Sequence, residues 1–224
     1  MKNQSLFSAI SSIISEKSIL NHPFYQCWQA GKLTKEELQD YMVQYYHLEN
    51  AFPRFQSSIH ANTIDGDMRQ MMLKDLINEE WADNNHVALL VRFAEALGLT
   101  KEQLINSKPN KNTEEAINTV LEMTADPDIA KGIAALAVYK EQIAKVAVTK
   151  EAGLKEFYGI TAPEALQFFR VHSNQNVIWH NLLDTQVTKE AYPAVLASVH
   201  TMCDAWWHYL DGVTTPSMME SMVC

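Results

Sequence analysis

Apolar positions recur along most of this chain at three- and four-residue steps, the spacing that gathers side chains onto one face of an α-helix. Leu38, Tyr41, Met42, Tyr45, Leu48 and Phe52 follow this rhythm, as do Ile129, Ile133, Leu136, Tyr139, Ile143 and Val146. No stretch alternates apolar and polar residues at period two, so strands are not expected. Thr34-Lys-Glu-Glu37 and Thr100-Lys-Glu-Gln103 read as capping boxes, in which a hydroxyl and a later acid or amide satisfy the unpaired N–H groups of a first turn. Stop signals fall at Gly31, Asp65-Gly66, Gly98, Lys108-Pro109, Gly159 and Asp211-Gly212. Together these marks predict helices over about 4–20, 22–30, 35–63, 67–97, 113–125, 127–158, 161–184 and 188–211, with a kink at Pro53. The expected architecture is one all-α domain of seven or eight helices over residues 1–211, with 212–224 as a C-terminal tail.

Composition sharpens this picture. The chain has 224 residues, enough for one substantial core. Only 7 Gly and 7 Pro are present, too few for the frequent turns of a β-sandwich or barrel. A net charge of −9 disfavours nucleic acid and anionic membranes as partners. No apolar run has the length of a membrane span, and no signal-peptide core is present, because Ser11, Ser12 and Ser15 interrupt the first segment. Cys27, Cys203 and Cys224 are too few and too scattered for a disulfide framework, which fits a reducing cytoplasm.

Eight histidines remain to be placed. Glu79 and His86, seven apart on one predicted helix, share a face roughly 10 Å apart along the axis. Inward carboxylates and imidazoles of this kind build metal sites in helical bundles. The competing reading is a solvated acidic face with an incidental histidine. His172 and His180 form a second pair, aligned only if a π-bulge inserts one residue between them; otherwise His172 is a polar core residue and His180 a surface one. His22, His47, His60, His200 and His208 read as structural. No phosphate-binding loop, dinucleotide fingerprint or nucleophile elbow occurs.

The order and spacing of several short motifs resemble the heme-oxygenase-like proteins, a group that includes thiaminase-II (TenA), pyrroloquinoline-quinone synthase and the Chlamydia protein associating with death domains. The motifs are His22-Pro23-Phe24-Tyr25, Gly31-Lys32-Leu33, Tyr41-x3-Tyr45-Tyr46, Ala51-Phe52-Pro53, Glu79-Glu80-x5-His86, Phe157-Tyr158-Gly159-Ile160 and Val171-His172. The Chlamydia-like subgroup is nearest in pattern. The resemblance implies a helical bundle around one buried site and O2-dependent oxidation of a small organic molecule. In that subgroup it implies iron, one or two ions, and p-aminobenzoate for folate, made partly from the enzyme's own tyrosine with a lysine involved. Carried over by position, Glu79, His86 and His172 match metal ligands, with His180 as a displaced fourth, and Tyr25, Tyr41 and Lys150 match the subgroup's tyrosines and lysine. Three ligand positions depart: Lys140 stands where a Glu is expected, with Glu141 beside it, Asn176 replaces an Asp, and Trp179 replaces a His, with His180 one place later. A lysine repels a metal and an amide is a weak ligand for one. The departures leave open a metal-free relative acting as a binding protein, or a cofactorless oxidase like pyrroloquinoline-quinone synthase. The thiaminase route is disfavoured, because Ala135 stands where that branch carries a catalytic Cys. The aromatic last helix offers a surface for a homodimer.

Overall fold

A computed structural model describes residues 6–173 and 187–220. Eleven α-helices are present among the described residues: α1 (Leu6–Glu16), α2 (Pro23–Gln29), α3 (Lys35–Asn62), α4 (Gly66–Glu80), α5 (His86–Ala96), α6 (Lys101–Asn106), α7 (Lys111–Ala125), α8 (Ile129–Phe157), α9 (Pro163–Ser173), α10 (Tyr192–Asp211) and α11 (Pro216–Glu220). No strand occurs among these residues, and none of the helices is long and apolar enough to cross a membrane.

The all-α expectation is met, and the number of helices is corrected from seven or eight to eleven. Three local causes account for the difference. The stretch read as one helix over 67–97 breaks after Glu80, where Ala82 takes a left-handed φ of 65° and the Asn85 side chain accepts from Ala88 N to start α5. A run of Asp and Asn, which compete for backbone hydrogen bonds, does here what Gly or Pro does elsewhere. The Thr100 capping box nucleates the short α6. Within the stretch expected as a tail, α11 packs Met218 into the core, and Thr215 and Ser217 donate to Glu37.

The long helices α3 and α8 hold the centre. α3 packs against α4, α5 and α7; α8 packs against α7, α9 and α10; α5 and α9 cover one end. α3 continues as one helix through the buried Pro53. A proline has no N–H, so the carbonyl of Glu49, one turn earlier, loses its helical donor. α8 approaches α2 closely at Gly153, where an added Cβ would lie 2.9 Å from the ring of the fully buried Trp28.

Gly153→Ala is therefore expected to destabilise the protein by about 1–3 kcal/mol, the overpacking cost exceeding the small gain in helix propensity. Thermal melts will show a Tm lower by several degrees, and a smaller loss in a Trp28→Phe background. An unchanged Tm refutes the close packing.

Candidate active site

The inner face of α3 places Tyr41, Tyr45 and Glu49 at four-residue steps, with Gln56 two turns further on. α4 contributes Asp75 and Glu79, α5 its first residue His86, α8 Lys140 and Lys150, and α9 His172. Two linked clusters result.

The first is charged. His86 Nδ1 donates to Glu79 Oε2 at 2.8 Å. Glu79 Oε1 accepts from Gln56 Nε2 at 2.9 Å and from Lys140 Nζ at 3.3 Å. Lys140 also pairs with Asp75 at 3.2 Å. The Glu49 carboxylate lies 3.8 Å from His86 Nδ1 and 3.9 Å from His172 Nε2. His172 Nδ1 donates to the Phe168 carbonyl at 2.7 Å, which leaves its Nε2 lone pair facing Glu49. The donor atoms of Glu49, His86 and His172 all lie within 4.8 Å of one another. Glu49, Glu79, His86, Lys140 and His172 are all buried.

Such burial shifts the titrations. The loss of solvent, and then the negative charge of Glu79, push the Glu49 carboxyl up. Glu79 is held low despite its burial, because Lys140 and His86 stabilise its charge. His86 keeps a raised pKa against desolvation through the Glu79 hydrogen bond. Burial, reinforced by the neighbouring His86, lowers His172 to about 3, so its imidazole is neutral.

The second cluster is aromatic. Lys150 Nζ donates to Tyr41 Oη at 2.5 Å and sits 4.2 Å from the Tyr45 ring centroid and 5.6 Å from that of Tyr25. Tyr25 and Tyr41 hydroxyls are 3.5 Å apart, and those of Tyr45 and Tyr139 are 3.2 Å apart. These side chains, with Trp206 and Tyr209, wall a cavity of about 30 Å³. Burial lowers Lys150 to about 7, opposed only by the charge of Glu49. Near neutral pH a large fraction of this amine is therefore uncharged and basic or nucleophilic. Glu49 acts electrostatically on Tyr45 and Tyr139 as well as on His86, so it joins the two clusters.

Each residue expected from the sequence can now be placed. Tyr25, Tyr41 and Lys150 meet around one cavity. Glu79, His86 and His172 meet in the charged cluster, but Glu79 and His86 do so across the break between α4 and α5. Their expected 10 Å separation on one helix is corrected to a direct hydrogen bond. Glu141, 100° round the helix from Lys140, accepts from Ser11 on α1 and does not enter the cluster. His180, Asn176 and Trp179 lie outside the described residues. Glu49, Asp75 and Gln56 were not singled out in the sequence. A signal for Glu49 existed: it sits one turn beyond Tyr45 on an otherwise apolar face, where an unpaired acid is costly.

The TENA/THI-4/PQQC family pattern matches residues 14–212. The chain belongs to that family. It is 35% identical over 218 residues to a 4-aminobenzoate synthase of Nitrosomonas europaea, covering 91% of this chain and 89% of the relative. It is 34% identical over 203 residues to a 4-aminobenzoate synthase of Chlamydia pneumoniae, covering 89% and 90%. A solved domain from Shewanella denitrificans with a heme-oxygenase-like fold superposes with a TM-score of 0.71 at 19% identity, over 94% of this chain and 89% of that one. The resemblance read from the motifs is thus borne out at the level of family and fold.

The depressed Lys150 has a consequence for stability. Its pKa is about 7 when folded against an ordinary 10.5, so between these values the unfolded chain binds more protons and stability rises with pH. Below pH 7 both states are protonated, and the penalty, a few kcal/mol, is fully present. Lys150→Met is expected to gain on the wild type in Tm as pH falls from about 10 to about 7, with a constant gap below. A gap independent of pH across that range would mean that Lys150 keeps an ordinary pKa.

Proposed function

We propose that this protein is an O2-dependent oxidase of the 4-aminobenzoate-forming kind, whose organic reactant is a tyrosine of its own cavity wall. The carrying observation is the buried amine of Lys150 against Tyr41 and Tyr25, in a cavity of about 30 Å³. Tyrosine rings make up much of the wall of that cavity. The aromatic ring available to the chemistry belongs to the wall, and the names of the two relatives support the product class.

The residues present fit one divalent metal ion. Glu49 Oε2 is buried without a hydrogen-bond partner, His172 presents a free lone pair, and His86 completes a two-histidine, one-carboxylate set. This donor set with open positions is that of non-haem iron oxygenases, so iron is the proposed metal, held by Glu49, His86 and His172. When bound, such an ion supplies the redox chemistry that dioxygen needs. Phe168 fixes the orientation of His172. Glu79, Gln56 and Lys140 fix that of His86. Lys150 holds the Tyr41 hydroxyl in place through their short hydrogen bond, and the tyrosine rings keep bulk water from the amine.

The Lys140–Glu79 pair also favours a second reading: the cluster is partly charge-balanced without metal, as a cofactorless oxidase requires. Protein carrying ring-labelled tyrosine, loaded anaerobically with Fe2+ and then exposed to O2, is expected to release labelled 4-aminobenzoate, detected by mass spectrometry. Lys150→Met and Tyr41→Phe should each lower the yield at least about 100-fold, the scale of losing a positioned base or reactant. Unlabelled product refutes the own-tyrosine origin. Undiminished product under a strong chelator removes the metal and leaves the cofactorless reading.

A further inference from the structure

Lys140 is a lysine where a folded chain rarely tolerates one. Buried lysines persist when paired, and this one has two partners from successive turns of α4: Asp75 at 3.2 Å and Glu79 at 3.3 Å. Asp75 and Glu79 present their carboxylates to a single point, and the Lys140 ammonium occupies it. The Glu79 carboxylate is committed elsewhere too. Its Oε1 takes Gln56 and Lys140, and its Oε2 takes His86. Both oxygens of Glu79 already accept hydrogen bonds, and Glu79 is not among the residues whose donor atoms converge. The converging group Glu49, His86 and His172 meets this pair at His86, whose Nδ1 lies 2.8 Å from Glu79 and 3.8 Å from Glu49, whereas Asp75 and Lys140 lie beyond Glu79.

We propose that the Lys140 ammonium is a built-in cation standing where a second metal ion would otherwise bind, so that the chain takes one metal and is barred from two. This rests on the metal reading above for the first ion, but the second position has its own logic. A divalent ion placed between Asp75 and Glu79 would meet the buried ammonium at contact distance, and like charges that close repel one another. Removing the ammonium leaves two carboxylates facing each other without a cation, an arrangement that itself attracts a divalent ion. Lys140→Glu goes further by adding a third carboxylate at the same point. The hard oxygen donors suit Mn2+ and Fe2+.

The test is metal stoichiometry, read without reference to activity. Full-length wild type, Lys140→Glu, Lys140→Ala and Lys140→Arg are stripped with chelator, loaded anaerobically with Mn2+ or Fe2+, desalted and assayed by elemental analysis and Mn2+ EPR. Wild type and Lys140→Arg are expected to hold one ion per chain, with an isolated Mn2+ spectrum. Lys140→Glu is expected to hold two, with the spectrum of an exchange-coupled pair, and Lys140→Ala more than one. Circular dichroism confirms the helical fold of each variant. If Lys140→Glu does not fold, Lys140→Ala decides alone. Two ions in the wild type, or one ion in every folded Lys140 variant, overturns the proposal while leaving the first site intact. No ion in the wild type but one or more in Lys140→Glu refutes the native metal and upholds the role of Lys140. No ion in either overturns both.

Discussion

The centre of this bundle depends on burying charge. Five ionisable side chains from five helices meet where almost everything around them is apolar, and an isolated charge there would cost several kcal/mol. The Lys140–Glu79 contact makes the cluster tolerable, because each group supplies the counter-charge the other lacks. Other arrangements follow from it. Glu79, held ionised, accepts from His86 and sets that ring's orientation. With Glu79 ionised, Glu49 is pushed towards its neutral form and keeps one oxygen without a partner. The same field reaches Lys150 through Glu49. Removing Glu79 would leave Lys140 with Asp75 alone, and removing Lys140 would leave Glu79 with His86 and Gln56, so this contact constrains α4 against α8.

Backbone details serve the same centre. Pro53 frees the carbonyl of Glu49 and is accommodated within a continuous helix whose inner face carries the site. The break after Glu80 looks like a loss of regularity. It lets two residues that a straight helix would hold two turns apart come into hydrogen-bond contact. Both features sit within a turn or so of a site residue, where local irregularity re-aims side chains. On the aromatic side, the long tyrosine column of α3 packs against Lys150, and the price of desolvating that lysine is an amine that titrates near neutrality rather than near 10.5.

The chain's relation to its family turns on a few substitutions. The family and the fold are those expected from the resemblance. At position 140, where the resemblance leads one to expect a carboxylate, stands a lysine that pairs with Asp75 and Glu79. A substitution that looks like damage to a metal site in a list of ligands is, in three dimensions, a complete ion pair with both partners satisfied.

The sequence by itself determined the helices and most of their ends, because side-chain periodicity, capping boxes and the scarcity of Gly and Pro act over a few neighbouring residues. Tyr25, Tyr41, Lys150, His86 and His172 were pointed to by the family resemblance rather than by the pattern itself. Only the tertiary structure decided which of them touch. Glu49 was hidden because a single acid in an apolar stripe has no meaning until its partners arrive from α5 and α9. The split after Glu80 was hidden because Asp83, Asn84 and Asn85 mark a turn more weakly than Gly or Pro. The direction of Lys140 was hidden because a helix position does not say which distant carboxylates face it. Contacts between residues tens of positions apart depend on how whole helices pack, and that information is spread over the entire core rather than written beside the residues that make the site.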